Sequence, residues 1–429
     1  MRRYYVAPRF LLDLFRLRRN ARLKLHKLVE LQEKKLRAIV KYAYEKVPFY
    51  HRLLETNSIR PSDIKTIQDL QKIPIVTRED VQRNFARMLS KDTNRDKCSK
   101  HKTSGSTGIP IPVFLDNNAR NFHSVVSLRQ FLECGGRFRD KQVQLRGTGS
   151  SFAPKSNSKP FYEYMGLLRT EWFTLTDIPD DLVSFLKAYN PQVMVGYPSL
   201  FELLSGKTDG GINPRVIFCT GEVLSSHCRS LMESSFGAEI IDCYGCTEGG
   251  NISWECPQEH SGYHLNIDSV VIEFVKDGET VEAGEEGEIV LTNLFNYSMP
   301  FIRYNVGDVG VPSDEQCSCG RTLPLMNLLS GRSDDFIVLP DGRRLSPLCI
   351  LNSENFFEVS RFKLVQRRRN LIEVWLKMDE GYKEVSVTRC ISALRKVFGR
   401  DVDVRTNIVD EIPRDNSGKI RRIVSEVYN

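Results

Sequence analysis

The chain has 429 residues, 41% apolar and 27% charged, with a formal net charge of +7. That length suggests roughly two or three domains with ample material for a core, and the composition is ordinary for a globular protein. No apolar run approaches the roughly 20 residues needed to cross a bilayer, and no recognisable nucleic-acid-binding module accompanies the modest charge.

Much of that charge sits at the start, where Arg2, Arg3, Arg9, Arg16, Arg18, Arg19, Arg22 and Lys24 face only Asp13. Phe10, Leu11, Leu14, Phe15 and Leu17 are interleaved with them. This reads as a basic amphipathic helix, either packed on the body with a solvated basic face or in weak contact with an anionic membrane surface. Charges break its apolar stretch and no small-residue cleavage site follows, so it does not read as a secretion signal. Helical periodicity then runs from Leu25 toward Leu54 and ends at VPFY, where Pro48 disfavours continuation. Ser62 before Asp63 and Thr77 before Glu79 are capping-type sites of short helices.

From Gln142 to about Tyr263, β-rich runs alternate with helical ones. VQLRG, VMVGY, VIFCTGE and EIIDCYG each close on Gly or a polar residue, the rhythm of parallel strands with crossover helices. Ligands gather at the C-terminal ends of such strands. From His264 onward, HLNIDSVVIEFV, GEIVLTNL and FIRYNVGDVGVP look antiparallel, joined by Gly-rich turns. Beyond GRSDD come a hairpin around Asp341-Gly342, a strand (VQRRRNLIEVWLKM), a helix (VSVTRCISALRKVFG) and a strand (VDVRTNIV). The eleven cysteines follow no regular framework and point to a reducing cytoplasm. Cys219, Cys349 and Cys390 sit in apolar surroundings and read as core residues.

Short motifs carry the chemistry. In KTSGSTGIPIP, the residues Thr103, Ser104, Gly105, Ser106, Thr107 and Gly108 let backbone N–H groups and hydroxyls approach phosphate closely. It is not the nucleotide-binding pattern GxxxxGK[ST]. YGCTEGG (Tyr244 to Gly250) follows a β-like run, and its Glu248 suits a hard cation such as Mg²⁺, which needs oxygen ligands. RYNVGDVG supplies Asp308, GRSDD supplies Arg332 and Asp334, and IPRDNSGKIRR supplies Lys419. Each alone could be an ordinary turn or an exposed lysine.

Together, order and spacing resemble the adenylate-forming superfamily of acyl-CoA synthetases, peptide-synthetase adenylation domains and luciferases. The phenylacetate–CoA ligase and CapK branch is the most similar, and the resemblance covers nearly everything from about Lys35 to Arg422. It implies an α/β fold: a large N-terminal adenylate-forming domain with mixed sheets and an antiparallel β subdomain, then a small mobile α+β domain. The expected divisions are a helical segment over 1–75, the AMP-binding body over 76–332 and a lid over 333–429.

The same resemblance implies roles. Tyr244, in the turn with Gly245, would lie against adenine, near the TGE segment with Gly221 and Glu222. Thr247 would contact phosphate and Glu248 hold Mg²⁺. Asp308 and Arg332 would bind ribose, and Asp334 would be the hinge. Lys419 would stabilise the charge that grows as a carboxylate attacks the α-phosphate of ATP. The loop departs from the family pattern in ending without a lysine: Ile109, Pro110 and Ile111 follow Gly108. Such departures also occur in the phenylacetate branch.

A second constellation joins Cys256, His260 and His264 to Cys317 and Cys319. Three thiols and one imidazole form a common structural zinc set. CapK-like relatives favour His264 as the fourth ligand, with His260 as its competitor.

The expected activity is ATP-dependent formation of an acyl-adenylate and acyl transfer to coenzyme A. Transfer to an amine or sugar acceptor is the alternative, and a catalytically degenerate nucleotide-binding protein is a third. Trp172, Phe173 and Tyr197 either line an aromatic slot for the acid or belong to the core.

Overall fold

The computed structural model describes residues 8–103, 111–146, 161–174, 181–208, 210–260, 262–332, 336–342, 344–345, 361–377, 384–399, 401–413 and 421–427. Helix α1 (Pro8–Asn20) turns Leu14 and Leu17 into the body. Its opposite side leaves Leu11, Leu12 and Phe15 exposed. α2 (Leu25–Lys46) buries Leu28, Leu36, Ile39, Val40 and Ala43, the stripe its periodicity announces. Pro48 ends α2, yet the chain re-enters a helix at once. Lacking an N–H to satisfy and with φ already set, Pro48 is the first residue of α3 (Pro48–Thr56). Thr77 caps α4 (Arg78–Arg83) in a reciprocal pair with Asp80. Ser62 caps nothing: it lies inside one turn of 3-10 helix (Pro61–Asp63), where the Asp63 carboxylate accepts the Arg60 N–H at 2.8 Å.

A short hairpin, β1 (Ser99–Lys102) with β2 (Pro112–Leu115), leads into α5 (Asn117–Glu133). The parallel strands follow: β3 (Lys141–Arg146), β4 (Arg169–Thr174), β5 (Val193–Gly196), β6 (Val216–Thr220) and β7 (Glu239–Cys246). They are interleaved with α6 (Phe161–Tyr164), α7 (Leu182–Tyr189), α8 (Pro198–Ser205) and α9 (Ser226–Phe236). VIFC in β6 is apolar without a break because both of its faces are covered. Val216 and Phe218 join the core under α1 and α5, while Ile217 and Cys219 join the one under α8 and α9.

The antiparallel strands are β8 (Gly250–Glu255), β9 (Tyr263–Leu265), β10 (Val270–Lys276), β11 (Glu279–Thr280), β12 (Gly287–Asn293), β13 (Tyr304–Ser313) and β14 (Leu325–Arg332). They are not a separate sheet. Through β8 and β9 they continue the parallel block into one 12-stranded sheet, ordered β11-β10-β12-β13-β14-β9-β8-β7-β6-β5-β3-β4.

The C-terminal region has its own sheet and core. After the hairpin of β15 (Ile337–Val338) and β16 (Arg344–Leu345) comes β17 (Arg361–Arg368), then β18 (Leu371–Lys377). VQRRRNLIEVWLKM is therefore not one strand; it reverses at Arg369-Asn370. α10 (Glu384–Phe398), β19 (Asp403–Ile408) and β20 (Ile423–Ser425) complete a four-stranded unit, β19-β18-β17-β20.

Nine cysteines are described, all free, and Cys219 is fully buried. Cys349 and the Cys390 side chain lie outside the described residues. Among the described residues no helix is long and apolar enough to cross a membrane.

One buried hub joins the N-terminal helices to the sheet. Arg129 of α5 donates to both carboxylate oxygens of Asp268, at 2.7 and 3.0 Å, with both side chains fully buried. Arg129 also donates to the Leu17 carbonyl of α1 at 3.1 Å. Asn20 donates to Asp268 at 3.1 Å, and Lys35 of α2 donates to its carbonyl at 2.5 Å. Removing one partner of such a pair strands the other charge in a low-dielectric interior. Arg129→Met is expected to cost about 3–5 kcal/mol of stability, read by urea denaturation; a loss below about 1 kcal/mol, the range of an exposed pair, would contradict this description.

Candidate active site

The site forms where β7 ends and doubles back into β8. YGCTEGG makes that reversal with glycines at its closest approaches. A Cβ on Gly245 would lie 2.4 Å from the Gly250 carbonyl oxygen, and one on Gly250 would lie 2.3 Å from the His123 ring. Gly250 also has φ +71°, which side-chain-bearing residues rarely adopt. The turn leaves Thr247 partly exposed and carries Glu248 inward to 5% exposure. Its backbone is pinned there by Asn293, whose Nδ2 donates to the Glu248 carbonyl at 2.7 Å.

β13 crosses this turn and meets it twice. The Tyr304 hydroxyl donates to Glu248 Oε1 at 3.2 Å, and the Tyr244 hydroxyl donates to Asp308 Oδ2 at 2.8 Å. Each motif thus supplies the tyrosine that answers the other's carboxylate. Burial pushes the Glu248 carboxyl up, opposed by the Tyr304 hydrogen bond and the nearby charge of Arg78. Burial, then the Asp308 charge, pushes the Tyr244 phenol well above its ordinary value, so it remains a donor. Asp308 faces Arg332 across β13 and β14 in register. The Arg332 side chain lies outside the described residues.

Arg303, next to Tyr304, is a buried structural clamp. It pairs with Glu273 at 3.1 Å and donates to the carbonyls of Gln71 and Ile73 at 3.1 and 2.6 Å. Thr103, at the base of the phosphate-loop motif, is buried; its Oγ accepts from Ile111 N at 2.9 Å and from Arg78 Nη2 at 3.3 Å. Ser104, Gly105, Ser106, Thr107, Gly108, Asp334 and Lys419 lie outside the described residues. In the TGE segment, Gly221 has φ +81° and the Glu222 carboxylate accepts the Ser199 N–H and hydroxyl, each at 3.0 Å. Tyr197 is 8% exposed in the core under α8, Phe173 packs edge-on against Phe185 at 5.0 Å, and Trp172 is half-buried in β4.

Tyr304 belongs to the RYNVGDVG motif without an assigned role there, and Arg78 and Asn293 belong to none of the motifs. A tyrosine four residues before the motif aspartate was the available signal, since strand neighbours of a site carboxylate are natural donors. Arg78 offered none, being simply the residue after a helix cap.

The second constellation also converges. The ligand atoms of Cys256, His264, Cys317 and Cys319 all lie within 4.8 Å of one another. Cys317 Sγ is 3.5 Å from Cys256 Sγ, and Cys319 Sγ is 3.3 Å from His264 Nε2. His264 turns its other nitrogen to the Leu323 carbonyl at 3.3 Å, which fixes the ring. His260 stands apart, 3.1 Å from Glu239 and 3.4 Å from Glu255. The three thiols and one imidazole fit a closed tetrahedral site.

The family model described as AMP-binding enzyme matches residues 29–295, and that described as CapK C-terminal domain matches residues 345–426. Phenylacetate-coenzyme A ligase of Escherichia coli (strain K12) is 28% identical, over 92% of this chain and 94% of that protein. The phenylacetate-coenzyme A ligase of Thermus thermophilus is 26% identical, over 93% and 96%. Protein CapK of Staphylococcus aureus is 21% identical, over 93% and 90%. Among solved structures, 2-hydroxyisobutyryl-CoA ligase in the postadenylation state with 2-HIB-AMP superposes with a TM-score of 0.77 at 20% identity, covering 95% of this chain and 91% of that one. That likeness gives the fold: a large α/β body with a smaller C-terminal domain.

The Tyr304–Glu248 contact has a measurable signature. A carboxyl with a folded pKa above its unfolded 4.5 contributes stability that is full below that value and lost as the pH rises through the folded one. Tyr304→Phe removes the donor that favours the ionised form. It is expected to cost about 1–3 kcal/mol, with a larger deficit at pH 8 than at pH 5 in chemical denaturation. Equal deficits at both pH values would show that the hydroxyl does not serve the carboxylate.

Proposed function

The chain belongs to the AMP-binding enzyme family, and on that basis we propose that it is an ATP-dependent carboxylate ligase, forming an acyl-adenylate and passing the acyl group to coenzyme A. The observation that carries the reading is the pair of crossed bonds that ties Glu248 and Asp308 to one turn, with Arg78 bonded to Thr103 and its charge reaching Glu248. Phenylacetate-coenzyme A ligases that match over more than nine-tenths of the chain support the acid–thiol direction.

In this reading the loop of Thr103 to Gly108 cradles the ATP phosphates, and Asp308 and Arg332 hold the ribose. Tyr244 and the Gly221–Glu222 segment border the adenine. Glu248 holds Mg²⁺, with Thr247 against phosphate. Bound there, Mg²⁺ supplies charge neutralisation on the phosphate oxygens. A carboxylate oxygen attacks the α-phosphorus, the bond to the bridging oxygen breaks, and pyrophosphate leaves. The Lys419 ammonium meets the charge that grows on the α-phosphate oxygens and the new acyl phosphate bond. Residues 76–332 form the body and 333–429 a lid that pivots at Asp334, withdrawing Lys419 before the thiol attacks the acyl carbon and AMP departs.

ATP–pyrophosphate exchange over a panel of aryl, fatty and amino acids tests the first half, and CoA-thioester formation the second. Exchange with none of them would sink the reading. Lys419→Ala is expected to lower exchange by at least ~10²-fold while thioester formation from supplied acyl-AMP persists. Equal loss of both in a folded variant would contradict the pivot.

Cys256, His264, Cys317 and Cys319 are assigned one structural Zn²⁺, favoured because thiolates with imidazole suit it. With four protein ligands it leaves no open position for a catalytic water. Elemental analysis of protein expressed with ample metal should find one zinc per chain, lost in His264→Ala and retained in His260→Ala. Metal-free wild type would refute the site.

A further inference from the structure

We propose that Arg78 binds the terminal phosphates of ATP, supplying the positive charge that loops of this kind ordinarily draw from a lysine of their own. The inference rests on the function proposed above and adds a residue to it.

The exit of the loop provides no cation. Ile109, Pro110 and Ile111 follow Gly108, and Ile111 turns into the core at 2% exposure. Its backbone is tied to Thr103 on both sides, N–H to the threonine Oγ at 2.9 Å and carbonyl to the threonine N–H at 3.0 Å. β2 then continues as Pro112, Val113, Phe114 and Leu115, without a charge.

Arg78 arrives at the same place from a different element. Val76 forms a parallel bridge with Tyr304: its N–H donates to the Arg303 carbonyl at 2.8 Å, and its carbonyl accepts from Asn305 at 2.9 Å. Two residues later the Thr77–Asp80 cap starts α4, with Arg78 as its first residue. The position of Arg78 is thus set by the strand that carries Tyr304 and Asp308. Its Nη2 donates to Thr103 Oγ at 3.3 Å, and its charge reaches Glu248 and Tyr304, favouring the ionised form of each. Arg78 is only partly buried.

A guanidinium on one side of the phosphate-loop base and a divalent cation on Glu248 repel each other unless an anion lies between. The β- and γ-phosphates of ATP are an anion of sufficient charge, and the planar fork of arginine binds two phosphate oxygens at once. AMP, with neither group, would not use it. Lys102, immediately before Thr103, is the rival cation.

The test is binding rather than turnover. Calorimetric titration with Mg²⁺·α,β-methylene-ATP and with AMP is compared for wild type, Arg78→Gln, Arg78→Lys and Lys102→Ala. The expectation is an affinity loss for the triphosphate of about 10- to 100-fold in Arg78→Gln, the scale of a charge-assisted hydrogen bond. AMP affinity and thermal midpoint should stay near wild type, with partial recovery in Arg78→Lys. Equal loss for AMP and the triphosphate, or a loss confined to Lys102→Ala, would overturn the assignment, as would an Arg78→Gln that binds like wild type. Wild type that binds neither nucleotide would instead bring down the proposed function itself, and this inference with it.

Discussion

A carboxylate buried without donors is among the most costly groups a fold can contain, and this site buries or half-buries two. Each is answered by a tyrosine from the other's motif: Tyr244 serves Asp308, and Tyr304 serves Glu248. The reciprocity locks the β7–β8 turn against β13, so neither carboxylate can shift without unsatisfying a hydroxyl on the opposite strand. Much else serves that crossing. Arg303 clamps the chain at Gln71 and Ile73, the Val76 bridge follows, and Arg78 is delivered at its end. Asn293 holds the backbone of Glu248 from β12.

The cysteine cluster sits farther along the same strands. Cys317 and Cys319 lie in the connection between β13 and β14, whose far ends bring Asp308 opposite Arg332. His264 is in register with Trp254 on one side and Leu325 on the other. Cys256 comes from the connection after β8, His264 from β9 itself, and Cys317 and Cys319 from the connection before β14, so the cluster sits where the parallel and antiparallel halves of the sheet are joined. Arg321, two residues after Cys319, is bonded to Glu133 at 3.1 Å, and Glu133 also holds Arg18 of α1 and Arg22 in the turn that follows it. The N-terminal helix is therefore attached to the same corner of the molecule.

The sequence was most legible where local chemistry and tertiary position agree. VIFC is apolar on both faces, as a covered interior strand requires, and the order of the motifs pointed to a family whose model matches most of the chain. Pairing across long separations was not legible. That β8 and β9 join two blocks into one sheet depends on contacts no periodicity encodes. VQRRRNLIEVWLKM reads as one strand because its turn, Arg369-Asn370, lacks the glycine that usually marks a reversal. Pro48 was correctly a stop for α2, but the same fixed φ that ends one helix starts another. For the cysteine cluster, spacing left His260 and His264 open; the registry of β9 brings His264 toward the thiols and leaves His260 with Glu239 and Glu255.

The proposed reaction begins with attack of a carboxylate oxygen on the α-phosphorus of ATP at this crossing of strands. Isotope transfer tests it most directly. With an acid that supports turnover, labelled with ¹⁸O in its carboxylate, the reaction with ATP and acceptor should yield AMP carrying one ¹⁸O, because the attacking oxygen stays with phosphorus when the acyl group leaves. Label in inorganic phosphate accompanied by ADP, or AMP without label, would contradict the account.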